Sequence, residues 1–285
     1  PRKPPGPYGL RLRTKKVDYA MNTSITDALE RRGEAAVESI ASEVLQLVDK
    51  GTLSFIDPAA MSDQERREAI SSKLFLKDKF NPDGSFDKLK SRLVAGGHRQ
   101  DRSVYRVKDT SSPTLSVSSL YILIALAAHH KMKGRSMDIG QAYPNAEMKK
   151  KVTMWLNNQL ASILVSLHPE LEKYVDKSGR IYVQLLRALY GCIESGKLWN
   201  DHIKGTLIEF GFQQSKKDPC VFFKGAGQDR IILGVYVDDI IAFSGETKTL
   251  DRLETDLRKT YNKVTSNTDL PLPYVGRSEE RRVGK

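Results

Sequence analysis

Cysteine is nearly absent. Cys192 and Cys220 are the only two in 285 residues, too few for a disulfide framework and not at metal-ligand spacing. A disulfide-stapled secreted scaffold is thereby excluded, a reducing intracellular compartment is the easier assumption, and the two thiols read as small core residues. No apolar run approaches the roughly 20 residues of a bilayer span. The longest lies around residues 120–128, and the basic start carries no signal-peptide core, so nothing reads as crossing a membrane. The histidines, His98, His129, His130, His168 and His202, show no ligand spacing. There is no glycine-rich nucleotide fingerprint and no internal repeat.

Positive charge is what the chain has in excess. Lys and Arg number 46 against 35 Asp and Glu, a formal net charge of +11, and the pI is about 9.5. Such a balance suits a polyanion-binding surface, although solvated charged faces are common enough that charge alone does not decide for nucleic acid. A hydrophobic content of 39% is enough to bury a core in one large domain or two smaller lobes.

Residues 1–26 begin with Pro1, are rich in Lys, Arg and Pro, and read as a linker or interdomain segment. From Asp27 to Lys50, Ile40, Val44, Leu47 and Val48 recur at helical spacing and Gly51 stands where a C-terminal cap belongs, predicting one amphipathic helix. Ser62 and Glu65 form a capping box that opens a second helix to about Ser71. Strand-like runs at 73–80 and 86–95, joined by a Pro- and Gly-containing stretch at 81–85, predict a hairpin. Its second arm carries Lys88, Lys90 and Arg92 at alternate positions and so on one face, suited either to phosphates or to protecting an exposed edge. Further on, the spacing predicts an apolar helix from Ser116 to His130, a short strand at 137–139, a strand at 180–186 and a helix at 196–212. Strands at 220–223, 231–236 and 240–244 and a last helix capped by Thr247 complete an α+β or mixed α/β pattern.

Asp238 and Asp239 lie between two β-rich apolar runs, where adjacent acids need water, a donor or a cation to compensate them. Alone, the dipeptide reads more readily as a solvent-facing turn. Asp138 also follows a short strand among apolar neighbours. Three acids converging at strand ends would suit two Mg²⁺ ions about 3.5–4 Å apart, the arrangement that favours in-line displacement at phosphorus. Spacing does not show that they converge.

The segment Tyr236-Val-Asp-Asp239 resembles the signature hairpin of reverse transcriptases, and six further blocks are similar to the copia type of that family. They are Lys90-Ser-Arg-Leu-Val-Ala-Gly-Gly-His-Arg-Gln100, Ser112-Pro-Thr114, Met137-Asp-Ile-Gly-Gln-Ala-Tyr143, Ala188-Leu-Tyr-Gly191, Leu198-Trp199 and Asp218-Pro-Cys220, in the family's order. The resemblance implies an α+β right-hand polymerase fold, fingers and palm at residues 27–276, with an antiparallel palm sheet packed on helices. It implies RNA-directed DNA polymerase activity on a primer paired to an RNA or DNA template, with deoxynucleoside triphosphates as substrates and two Mg²⁺ ions, or Mn²⁺, as cofactors. Position by position, Asp138, Asp238 and Asp239 would be the catalytic metal-site acids, and the carbonyl of Ile139 would join them. Tyr143 would stack under the incoming sugar, Lys90 and Arg92 would reach the triphosphate, and Tyr190 and Gly191 would line the nucleotide pocket. Integrase and RNase H domains would be partners in a longer polyprotein, working in a cytoplasmic particle whose product DNA goes to the nucleus.

Three departures stand out. Pro144 follows Tyr143 where the family usually has a flexible apolar residue, so its fixed φ is expected to shift the aromatic. Ile193-Glu194-Ser195-Gly196 replaces a Lys-Gln-small-Pro run, so the pocket edge is expected to lose a cation and gain an acid. Residues 277–285 read as a non-native tail and the chain as truncated before a thumb. The alternatives are a catalytically inactive remnant that still binds nucleic acid and another palm-type phosphoryl transferase such as a cyclase. The latter shares the paired acids without accounting for the Ser112 and Leu198 blocks.

Overall fold

Ser24, Ser62, Ser116 and Asn157 each accept the backbone N–H three residues on, at 2.9–3.2 Å, and each opens a helix. The computed structural model describes residues 24–80, 85–269, 272–274 and 277–278. In chain order it forms α1 (Ile25–Arg32), α2 (Glu34–Asp49), β1 (Leu53–Ile56), α3 (Asp63–Glu68), β2 (Ile70–Phe80), β3 (Phe86–Ala95), α4 (Val107–Thr110) and α5 (Val117–His129). There follow β4 (Lys133–Ile139), β5 (Glu147–Leu156), α6 (Asn158–Leu167), β6 (Ile181–Arg187), α7 (Ser195–Glu209), β7 (Gln213–Gln214) and β8 (Val221–Lys224). Then come β9 (Ile231–Tyr236), β10 (Asp239–Ser244), α8 (Thr247–Thr260) and β11 (Val264–Asn267). The fold is α+β, as expected. The proposed linker up to residue 23, the turn at 81–84 and residues 279–285 lie outside the described residues.

The chain divides into two compact units. Of the described residues, one comprises 24–44, 74–80 and 85–93. Here the single helix expected over 27–50 is broken. Gly33 adopts φ +50°, a conformation costly for any residue with a Cβ, and separates α1 from α2. Arg32 pairs with Asp78 of β2 at 2.9 Å, and its guanidinium lies 3.9 Å from the centre of the Phe86 ring. Ser39 and Glu43 of α2 bond to the backbone of Leu89 and Leu93 in β3. Lys88, Lys90 and Arg92 alternate with buried Ser91 and Leu93 and are exposed together, so the expected basic face of β3 is present.

The other unit comprises Leu45–Lys73 and the chain from Val94 onward. Gly51, at φ +62°, ends α2 as expected, and its N–H bonds to the Val48 carbonyl. The capping box at Ser62 and Glu65 is present too, but α3 stops at Glu68 because the chain enters β2 at Ile70. In this unit β1, β6 and β5 pair in that order, and β2 meets β5 in parallel through Ile70 and Ser71, so the sheet is mixed. A second sheet, of six antiparallel strands, has the order β11-β4-β10-β9-β8-β7.

Strand alternation gives this second sheet two unlike faces. Met137, Ile139, Val235 and Ile240 point to one, and pack with Trp199, Ile203 and Leu207 of α7 and with Leu250, Leu253 and Leu257 of α8. Ile232, Ile241 and Phe243 point to the other, and pack with Leu115, Leu123, Ala127 and Tyr274. Gly234 lets α5 come close: a Cβ there would stand 2.7 Å from Leu115 Cδ2 and 3.0 Å from Leu123 Cδ1. Thr247, expected as a cap, is the first residue of α8, with Glu246 at the N-cap position. Among the described residues no helix is long and apolar enough to cross a membrane.

Candidate active site

The hairpin of β9 and β10 pairs Tyr236 with Asp239, which leaves Val237 and Asp238 as the two turn residues. The two acids thus do not both lie between the strands, as the expected bounds 231–236 and 240–244 would place them. Asp239 is the first residue of β10, because the ladder closes one residue earlier than the apolar pattern suggests. Val237 takes φ +56°. This is an unusual conformation for a β-branched residue, held only where the surroundings over-determine it. Two bonds do so. The buried indole of Trp199 donates from Nε1 to the Val237 carbonyl at 2.6 Å, and the Ile139 N–H donates to the Asp238 carbonyl at 2.9 Å.

Register sets the acids. Asp138 stands directly opposite Asp239 across the β4–β10 ladder, and Thr265 and Tyr236 flank the pair in the same row. Directly opposed residues share a face with Cβ atoms about 4.5–5.5 Å apart, and two like charges so placed repel unless something between them offsets the charge. Asp138, Asp238 and Asp239 are all partly buried. The structure therefore brings Asp138 and Asp239 together and puts Asp238 on the adjoining turn. Among the described residues no three His, Cys, Asp or Glu side chains form a ready metal-binding group. Tyr274 lies close by, its hydroxyl 3.5 Å from the Gly234 carbonyl. Burial, and then the negative charge of Asp239, push that hydroxyl well above its ordinary range.

Past β4 the chain turns through a short 3₁₀ segment, Tyr143–Asn145. Asn145 braces it by donating to the Gln141 and Ala142 carbonyls at 2.9 and 3.1 Å, a role with no signal in the sequence. Pro144 is buried at the start of this segment, where the lack of an N–H costs no helical bond. Tyr143 is half-buried and meets Tyr190 edge to face, centroids 4.6 Å apart. Below the turn, a cavity of about 160 Å³ is lined by Ser112, Thr114, Tyr143, Trp199, Val235 and Val237.

The loop after β6 carries Tyr190 and Gly191. The Ala95 N–H donates to the Tyr190 carbonyl at 2.7 Å, and Gly191, at φ +92°, passes so close that a Cβ would lie 2.1 Å from the Ala95 oxygen. A Cβ on Gly97 would lie 2.0 Å from the Gly191 oxygen. Burial, reinforced by the charge of Glu194, pushes the neighbouring Cys192 thiol up to about 12 and keeps it protonated. Both cysteines are free and buried, as expected of core thiols. Asp218, from the Asp-Pro-Cys block, accepts from the Cys220 N–H at 2.8 Å and the Ser116 N–H at 3.2 Å and so pins the start of α5. Lys90 and Arg92 belong to the first unit, on the exposed face of β3.

Residues 60–267 match the family described as reverse transcriptase (RNA-dependent DNA polymerase). The chain is 26% identical over 257 residues to the retrovirus-related Pol polyprotein from transposon RE2 of Arabidopsis thaliana, covering 86% of this chain and 16% of that polyprotein. It is 29% identical over 206 residues to the corresponding polyprotein from transposon RE1 of the same plant, covering 72% of this chain and 13% of the relative. To the Transposon Ty1-LR2 Gag-Pol polyprotein of Saccharomyces cerevisiae it is 24% identical over 235 residues, covering 82% of this chain and 12% of the relative. The chain thus spans less than a fifth of the length of these relatives.

Proposed function

The chain belongs to the reverse transcriptase (RNA-dependent DNA polymerase) family, and on that premise we propose that it is the RNA-directed DNA polymerase domain of a copia-type retrotransposon polyprotein. In this reading the six-stranded sheet is the palm, and residues of the first unit serve as fingers. The observation that carries the proposal is the facing of Asp138 and Asp239 across β4 and β10, beside a turn that carries Asp238.

The facing carboxylates of Asp138 and Asp239 fit Mg²⁺. This ion is usually held by one or two carboxylates and completes its shell with water and substrate phosphates, so a closed protein cage is not needed. Asp138, Asp238 and Asp239, with the Ile139 carbonyl, would hold it. Bound there, Mg²⁺ or Mn²⁺ would supply charge stabilisation at the attacking and leaving oxygens. The reaction joins the primer 3′-oxygen to the α-phosphorus of a deoxynucleoside triphosphate. The hydroxyl gives up its proton, and the bond to pyrophosphate breaks. The fixed register of β4 and β10 keeps the acids from reorganising as charge builds. Tyr143 and Tyr190 offer an aromatic wall to the sugar and Gly191 gives the wall a close-packed edge; the family resemblance alone assigns Lys90 and Arg92 to the phosphates. Template and primer, integrase and RNase H domains in the same polyprotein, and work inside a cytoplasmic particle belong to this proposal.

Primer extension on an RNA template with Mg²⁺, comparing the chain with an Asp238→Asn, Asp239→Asn double variant, tests it. Incorporation that falls at least about a thousandfold in the variant is expected where charge stabilisation at the reacting oxygens is lost. No incorporation by the unmodified chain, with salt-sensitive binding to primer-template retained, would instead mark an inactive nucleic-acid-binding remnant.

A further inference from the structure

Glu194 is the acid expected to add negative charge to the pocket edge, yet it is 4% exposed. Both of its oxygens are engaged inside the protein. Tyr105 donates its hydroxyl to Oε1 at 2.7 Å, and Gln100 donates its side-chain amide to Oε2 at 3.0 Å. The same amide nitrogen lies 2.9 Å from the Tyr105 hydroxyl oxygen, while Gln100 Oε1 accepts the Ile193 N–H at 2.8 Å. Lys150 lies 3.9 Å from the centre of the Tyr105 ring. The result is a closed ring of hydrogen bonds among Gln100, Tyr105 and Glu194 that ties the loop at 96–100 to the loop at 190–194, where Gly97 and Gly191 already approach closely.

A carboxylate suits this position for a chemical reason. It is acceptor-only, so it serves two donors at once, whereas an amide in its place would turn an NH₂ group toward one of them. A buried network is stabilising when every member is satisfied and costly when one is not. The loop that Glu194 secures also carries Tyr190, whose ring meets Tyr143.

We infer that Glu194 is a positioning residue that fixes the Tyr190–Ile193 turn against the Gly96–Gln100 loop, and through Tyr190 sets the edge of Tyr143. Its kinetic consequence rests on the polymerase reading above; its structural consequence does not. The experiment therefore pairs two readouts on the full chain. Amide hydrogen exchange is followed at Ile193 and Gln100, with Ile139 as an internal reference, in Glu194→Ala, Glu194→Gln and Tyr105→Phe. Exchange at Ile193 and Gln100 is expected to speed up about tenfold or more in Glu194→Ala, less in Glu194→Gln, and in the same direction in Tyr105→Phe, with Ile139 unchanged. In primer extension, KM for the deoxynucleotide is expected to rise, and discrimination against ribonucleotides to fall, in Tyr105→Phe as well as in the Glu194 variants.

Unchanged exchange in both Glu194→Ala and Tyr105→Phe would overturn the clamp. So would a KM change confined to the Glu194 variants with Tyr105→Phe kinetically silent, since that pattern marks a direct contact with substrate. If the unmodified chain incorporates nothing, the polymerase reading fails and the exchange data still decide the clamp. Tyr105→Phe removes one oxygen, so the test survives a Glu194→Ala protein that does not fold.

Discussion

Two turns border Tyr143, and they are held by different means. The turn between β9 and β10 puts Val237 at φ +56° and ties its carbonyl to Trp199. The loop after β6 puts Gly191 at φ +92°, with its α-carbon hydrogens against the Ala95 carbonyl. In the first, a β-branched residue bears an unfavourable torsion and gains a side chain that packs on the core beneath the sheet. In the second the backbone approach is so close that no side chain fits. The first turn stores torsional strain and the second has no spare volume, so substitutions should cost little at one and much at the other.

The largest effect is expected at the glycines. Gly191→Ala must relieve a 2.1 Å contact with a backbone oxygen and also adopt φ +92°, so it should destabilise by about 3 kcal/mol or more. Gly97→Ala meets the Gly191 oxygen at 2.0 Å from the opposite side and should cost a similar amount. Urea denaturation of both variants measures this. A loss under about 1 kcal/mol in either would mean that the two loops part easily, and the contrast between the turns would collapse.

An intermediate effect is expected at Trp199. Trp199→Phe keeps an aromatic ring in the core but removes the donor to the Val237 carbonyl, which should cost about 1–2 kcal/mol. The loss should be local. Hydrogen exchange is expected to quicken at the Ile139 N–H, which bonds to the Asp238 carbonyl, before it quickens in the middle of β9. Uniform acceleration along β9 would show that the indole supports the whole sheet and not the turn.

The same contrast explains which parts of the molecule could be read from residues alone. The Asp238–Asp239 hairpin is local: two apolar runs, a tight connection and an acid pair sit within fourteen residues (231–244), and the period-two pattern shows both strands. What local pattern did not show is that Asp239 lies inside β10, since register depends on the partner strand. β5 has little strand signal because its first half contains Lys149, Lys150 and Lys151, whose side chains are exposed or half-exposed. Gly33 broke a helix whose apolar spacing runs on past it. Glu194 joins Gln100 and Tyr105 across 94 and 89 residues, and Tyr274 reaches Gly234 across 40. No window along the chain holds those pairs, so the sequence predicts Glu194 only as an acid added to the pocket edge.

The smallest effect is expected at Val237 itself, and it sharpens the comparison most. Val237→Gly removes an isopropyl group that packs on the core, which costs stability, and frees a residue from a left-handed torsion worth about 1–3 kcal/mol of strain. The two terms oppose each other, so the variant should lie within about 1 kcal/mol of the unmodified chain. Val235, two residues earlier, has the same side chain at an ordinary strand torsion and is 4% exposed. Val235→Gly gains no relief of strain, and with the lost packing should cost about 3 kcal/mol. The difference between two identical substitutions two residues apart combines the relief of torsion with the shallower burial of Val237. Since Val237 also has less packing to lose, a loss as large as that of Val235→Gly would overturn the strain at Val237, and the bond from Trp199 would then hold a conformation the chain adopts unaided.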